Sequence, residues 1–234
     1  MSTSDLVLCL DTTLSGYGLA LGRSGAADYS GDPMLASIIN TKSQTPAGFL
    51  AKDAQRLLKS VGVGLADIGE IRVATGPGSF TGIRMGLAFC YGLVLPRPKI
   101  RIGGLCSLEL IASGLCNSLA KPLAVLLPQT QTHGFLAGQD RGSRKLALAL
   151  NRYTELPEIG LDLYIPDVRF ASEAQEVVGS CSAIGAAETL LLSLQGMLKV
   201  DRIAESADLP SPLYMRLSTA EEKRLEDARM GKGI

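Results

Sequence analysis

Ala74–Gly86 reads ATGPGSFTGIRMG and joins two apolar runs that ask for different structures. Ile71–Ala74 has the look of a strand end, and Ile83–Leu95 predicts a buried helix. Between them, Gly76, Pro77, Gly78, Ser79 and Thr81 make a turn that gives way to a helix start. Glycine permits positive φ and close backbone approach, and the hydroxyl of Ser79 or Thr81 can cap the first turn. The free amide groups of such a helix start can receive an anion or another chain's backbone.

Several familiar chemistries fail on this stretch. A P-loop needs a lysine after its last glycine, and Ile83 follows Gly82. A dinucleotide fingerprint needs a third glycine where Thr81 stands, counting from Gly76 and Gly78. A nucleophile elbow needs glycine two residues before its serine, and Pro77 precedes Ser79 at that spacing. A tight strand-to-helix turn with no ligand accounts for the same residues.

Working outward, Leu6–Leu10 predicts a buried strand, Asp11-Thr12-Thr13 a polar turn and Gly18–Gly22 the returning strand of a hairpin. Residues 35–40 suggest a third strand. Phe49–Val61 carries Leu50, Ala54, Leu57, Leu58 and Val61 at helical spacing, with Lys52, Asp53, Arg56 and Lys59 opposite. The helix from about Phe80 to Leu95 is different. Ile83, Met85, Leu87, Phe89, Tyr91, Leu93 and Val94 cover nearly its whole circumference, and Arg84 is its only charge. A helix apolar all round is buried on several sides, by its own chain or by a second one.

Pro96-Arg97-Pro98 stops that helix and marks a lobe boundary, giving an N-terminal lobe of residues 1–98 and a C-terminal lobe of 99–234. Beyond it, Lys99–Ile102 predicts a strand and Ser107–Gly114 a helix start. Leu123–Leu127, His133–Ala137 and Leu161–Ile165 read as strands, and Ala186–Leu198 as a core helix. After Pro212-Leu213-Tyr214-Met215-Arg216, Thr219 and Glu222 form a capping box that opens a charged helix to about Met230. The chain has no repeat of short period.

At 234 residues and 46% hydrophobic content the chain can bury a sizeable core. No apolar run approaches the length of a spanning helix. MSTSDLVLCLD lacks a basic leader segment, and Asp11 interrupts its apolar run, so a cytoplasmic location without membrane attachment is the expectation. Lys plus Arg balances Asp plus Glu at 23 each, which argues against direct binding of many phosphates. The five cysteines show no C-x-x-C spacing, and Cys9, Cys90 and Cys181 read as small buried hydrophobes. His133 is the only histidine, which removes multi-histidine metal sites and leaves little for a Ser-His-Asp enzyme.

The Asp-Thr-Thr hairpin, the GPGSFTGIR turn with its apolar helix and the terminal PLYMR together resemble the TsaB family, also called YeaZ. The likeness is strong over Leu6–Glu109, weak across 128–200, and returns at Pro212–Arg216. It implies an α/β, two-lobed actin/sugar-kinase/Hsp70-like (ASKHA) fold, each lobe a mixed sheet with flanking helices. It also implies a non-catalytic scaffold subunit of the machinery that places N6-threonylcarbamoyl groups on adenosine 37 of tRNA. In that machinery the chemistry resides in TsaD and the ATPase TsaE docks on the pair. ATP and a metal then belong to those partners, and tRNA is met indirectly. Where TsaD has metal-binding histidines, this chain has Ser107 and Ile111, so neither a metal nor a catalytic residue is expected here.

In active members of the fold group the first hairpin loop binds phosphate or metal, which makes Asp11, Thr12 and Thr13 a vestigial phosphate loop. The family label itself is carried by Gly76, Pro77, Gly78, Ser79, Phe80, Thr81, Gly82 and Arg84. Pairing with TsaD, or self-pairing through an overlapping surface, uses N-lobe helices in the family. Met85, Phe89 and Leu93 are the interface candidates, with Leu50 and Leu57 nearby. The chain departs from the family pattern in TPAGFLAKDAQ, which lacks a histidine, and in PQTQTHGFLA of the second lobe. A peptidase and an ATP-dependent small-molecule kinase are the competing readings. The first has only His133 to draw on, and the second only Asp11 as a clear acid.

Overall fold

Every residue of β1 (Leu6–Asp11) is buried, and the reason is a layer on each side. Leu6, Leu8 and Leu10 join one core cluster and Val7 and Cys9 another. A strand covered on both faces reads as an unbroken apolar run, as LVLCL does. The computed structural model describes residues 5–24, 33–42, 47–116, 123–128, 133–139, 145–152, 162–166, 181–200, 203 and 209–213.

β2 (Tyr17–Arg23) and β3 (Met34–Asn40) follow β1 as an antiparallel meander, and β4 (Glu70–Gly76) and β5 (Arg101–Cys106) add on its other side in parallel. The sheet order is β3-β2-β1-β4-β5. α1 (Ala47–Val61) lies over β2 and β3, and α2 (Phe80–Val94) over β4 and β5. Both bury their apolar faces in the cluster that holds Leu8, Leu10 and Val73.

The second sheet repeats the plan. β6 (Leu123–Pro128), β7 (His133–Gln139) and β8 (Lys145–Arg152) form an antiparallel meander. β9 (Asp162–Ile165) and β10 (Cys181–Ala183) add in parallel, giving the order β10-β9-β6-β7-β8. One topology is thus used twice without a visible sequence repeat. α3 (Ser107–Cys116) connects the sheets, and α4 (Ala186–Lys199) follows β10 yet packs on β1, β2 and β3.

The first sheet runs past the expected boundary at residue 98, because β5 pairs with β4 through Cys106. Pro96 and Pro98 stop α2, but the chain re-enters the same sheet before it leaves. β8 and β10 were not expected. The predicted helix at 219–230, Tyr214–Arg216 and the side chain of His133 lie outside the described residues.

Candidate functional site

β1 delivers Asp11 to a turn that closes on itself. Asp11 Oδ1 accepts from the Thr13 amide at 2.8 Å and the Thr13 hydroxyl at 2.7 Å, the Asx geometry that suits Asp before a bend. Its Oδ2 accepts from Ser193 Oγ at 2.5 Å, across a sequence separation of 182 residues. Asp11, Thr12, Thr13 and Ser193 are all buried. An anion at this loop would have to displace Thr13 or Ser193 from the carboxylate.

The GPGSFTGIRMG stretch packs directly on that turn. A Cβ on Gly78 would meet Thr13 O at 2.1 Å, one on Gly82 would meet Thr12 O at 1.9 Å, and one on Gly86 would meet Thr12 Oγ1 at 2.3 Å. Each glycine therefore stands where any side chain would collide with the turn. Hydrogen bonds close the seam: Thr12 Oγ1 donates to Gly82 O at 2.7 Å, and Ser79 N donates to Thr13 O at 2.5 Å. Of the two expected caps, Ser79 holds the role, accepting from Gly82 N at 3.2 Å.

Gly76, at φ +113°, turns the chain out of β4, and the Gly76–Pro77 peptide is cis. Pro77 O accepts from the buried hydroxyl of Ser107 at 2.6 Å. Leu213 N donates to Thr75 O at 2.8 Å, and Tyr91 OH donates to Pro210 O, so the PL part of PLYMR lies beside the motif. Ser79, Phe80, Thr81 and Arg84 are exposed, with the Arg84 guanidinium 5.0 Å above the Phe80 ring.

α2 divides into two faces. Gly82, Ile83, Gly86, Leu87, Cys90 and Val94 face the sheet. Met85, Phe89 and Leu93 are half-buried along the flank, while Ala88, Gly92 and Leu95 are exposed, Leu95 at 69%. Two interface expectations need correction. Leu50 and Leu57 are each only 1% exposed, packed into the chain's own core beneath α1, where a partner could not touch them. The same apolar periodicity that flagged them turns inward.

Charge pairs missed by sequence reasoning lie on the opposite side. Arg72 is fully buried: Nε donates to Glu70 Oε1 at 2.5 Å, and Nη1 to Met197 O and Val200 O at 2.5 and 2.7 Å. Arg101 Nη2 donates to Glu70 Oε2 at 3.0 Å. The signal was present in Glu70-x-Arg72, two charges two residues apart and so on one face of a strand that the structure buries along its whole length. Tyr17 OH, also buried, donates to Asp53 Oδ2 at 2.6 Å and accepts from Asn40 Nδ2 at 3.2 Å. Burial and the Asp53 bond push the Tyr17 phenol up to about 12.

Ser107 and Ile111, the positions expected to stand where TsaD has its metal-binding histidines, are both fully buried, Ile111 in the second core cluster. Among the described residues no three His, Cys, Asp or Glu side chains converge as a metal ion would require. None of their helices is long and apolar enough to cross a membrane.

The profile of the TsaD family, tRNA N6-adenosine threonylcarbamoyltransferase, matches residues 50–147. A crystal structure of a Pseudomonas aeruginosa protein, described as uncharacterized with similarity to peptidase YEAZ, superimposes with a TM-score of 0.67 at 20% identity. It covers 91% of this chain and 100% of its own. YeaZ from Pseudomonas aeruginosa superimposes with a TM-score of 0.61 at 21% identity, covering 82% of this chain and 91% of its own. The chain has the YeaZ fold. No curated protein matches it by sequence. The YeaZ fold is the two-lobed ASKHA architecture, and the duplicated topology of the two sheets is its mark here.

Proposed function

We propose that this chain is a TsaB-type scaffold subunit, which pairs with a TsaD-type protein and supports threonylcarbamoylation of adenosine 37 in tRNA without performing the chemistry itself. The YeaZ fold and the TsaD-family match over residues 50–147 support the reading. The observation that carries it is the outer surface of α2. Met85, Phe89 and Leu93 are left half-buried there beside exposed Ala88, Gly92 and Leu95, on a helix with one charge. An apolar helix with one face on its own sheet gains most by burying the other against a partner helix. In this reading the protein works in the cytoplasm, a TsaE-type ATPase joins the pair, and self-pairing uses an overlapping surface. ATP and metal then enter with the partners.

The test is co-purification with the TsaD-type protein of the same organism, sized by light scattering, together with reconstituted tRNA modification. A one-to-one complex, and modification that depends on adding this chain, are the expected results. Full modification by the TsaD-type and TsaE-type proteins without it would overturn the reading.

A further inference from the structure

α4 is the bridge between the sheets. Its N-terminal half reaches the second, although Leu190 already packs on Gly18 of β2: Thr189 Oγ1 donates to Pro166 O at 3.0 Å, just beyond β9, and Leu192 sits in that sheet's core. Its C-terminal half belongs to the first, where Leu194, Met197 and Leu198 pack against Val7, Cys9 and Ala20. β2 admits it closely, since a Cβ on Gly18 would meet Leu194 Cδ1 at 3.0 Å and one on Gly22 would meet Leu198 Cδ2 at 2.5 Å. α3 crosses it at backbone contact: a Cβ on Gly196 would meet Leu110 O at 2.2 Å, and one on Gly114 would meet Leu192 O at 2.6 Å.

Two polar attachments fix this bridge to the first sheet. At its middle, Ser193 donates to the buried carboxylate of Asp11. At its C-terminal end, Arg72 donates to the carbonyls of Met197 and Val200 while Glu70 balances its charge. We infer that Asp11 and Arg72 form a two-point latch that holds α4 on the first sheet and so fixes one angle between the two sheets. Asp11 stands at the β1 turn, where a ligand-binding loop would keep its acid open; here the acid is turned inward to hold a helix.

Withdrawing α4 strips Asp11 of a buried donor, uncaps the carbonyls of Met197 and Val200 and takes both bonds from the Arg72 Nη1, while Nε keeps Glu70 and Nη2 keeps Ser24 Oγ. Groups so buried tolerate no intermediate distance, because an unmade bond in a dry site costs its full desolvation. The latch is therefore either closed or open, with no gradual hinge between. The inference concerns the isolated chain and stands apart from its pairing with any partner.

Double electron–electron resonance on the full chain tests it. Spin labels go on Lys59→Cys of α1 and Ser182→Cys of β10, both exposed, with Cys106, Cys116 and Cys181 changed to Ser and the buried Cys9 and Cys90 left in place. The latched chain gives one narrow distance, and Ser193→Ala adds a second distance or at least doubles the width. Hydrogen exchange in the same variant rises tenfold or more over 186–199 while α1 keeps its protection. A chain with Asp11, Arg72 and Ser193 intact that already shows two distances overturns the inference. So does a Ser193→Ala variant of unchanged width, or one that loses protection equally in α1 and α4, which marks a purely global loss of stability. Arg72→Met repeats the test from the other attachment; if it fails to fold, Ser193→Ala decides alone.

Discussion

Thr12 and Gly82 interlock: the Thr12 hydroxyl donates to Gly82 O at 2.7 Å, and the Thr12 carbonyl fills the space a Gly82 side chain would need. With Gly78 on Thr13 and Gly86 on Thr12 Oγ1, the most distinctive string of this chain is a packing seam between β1 and α2. Its glycines serve backbone approach, and that seam sets the attitude of the helix proposed to meet a partner.

Substitutions along the seam should separate by what they strike. Gly82→Ala drives a Cβ into backbone and should cost about 3 kcal/mol or more, despite the roughly 1 kcal/mol that alanine gains over glycine in a helix. Gly86→Ala strikes only the Thr12 side chain, so about 1–3 kcal/mol is expected. Thr12→Ala should rescue Gly86→Ala and leave Gly82→Ala unrescued. Urea unfolding of the three single and two double variants measures this, and rescue of both or of neither contradicts the seam.

Much of this fold was legible because short-range pattern decided it. LVLCL gave a doubly buried strand, the spacing in Phe49–Val61 gave α1, and Ser79 before an apolar run gave the start of α2. β8 was missed although KLALALNR alternates as a strand does, with Leu146, Leu148 and Leu150 two residues apart, and β10 because three residues carry no period. Asp11 reads as a turn former and Ser193 as one polar residue in a leucine-rich helix; only the tertiary fold joins them across 182 residues. Periodicity found the apolar positions of α1 but cannot tell an inward from an outward face, which is why Leu50 and Leu57 were misplaced.

The buried phenol of Tyr17 ties stability to alkaline pH. Its pKa rises from 10.0 to about 12 on folding, so the unfolded chain ionises first and stability falls as pH climbs through that window. Below about pH 10 the contribution is intact. Tyr17→Phe leaves Asp53 and Asn40 without the hydroxyl and should cost about 1–2 kcal/mol at neutral pH. It should also flatten part of the decline between pH 10 and 12, where the buried Cys9 and Cys90 thiols and the Tyr91 phenol, all raised by burial, contribute as well. Thermal melts across that range test both, and an unchanged slope in Tyr17→Phe would count against the assignment.

Thiol labelling should sort the cysteines by burial. Cys9 is pushed up to about 12 by burial, against the pull of Arg72, and Cys90 is raised by burial as well. Only a thiolate attacks an alkylating reagent, so both should stay unmodified in the native protein at pH 8 and react once it is unfolded. Peptide mass spectrometry after iodoacetamide treatment reads this directly. Native modification of Cys9 at the unfolded rate would mean that the layer of α4 on β1 opens readily.

Partner binding and folding should come apart on α2 and α1. Ala88 and Gly92 are exposed, so Ala88→Glu and Gly92→Glu should leave the melting temperature nearly unchanged while abolishing association with the TsaD-type protein. Phe89→Asp, at a half-buried position, should weaken both. Leu57→Ala removes a core side chain that touches no partner, and should cost about 2–5 kcal/mol of stability while leaving affinity untouched in protein that remains folded. Light scattering of each variant mixed with the partner, beside its thermal melt, checks the pattern. Association that survives Ala88→Glu and Gly92→Glu together would move the interface off the outer face of α2.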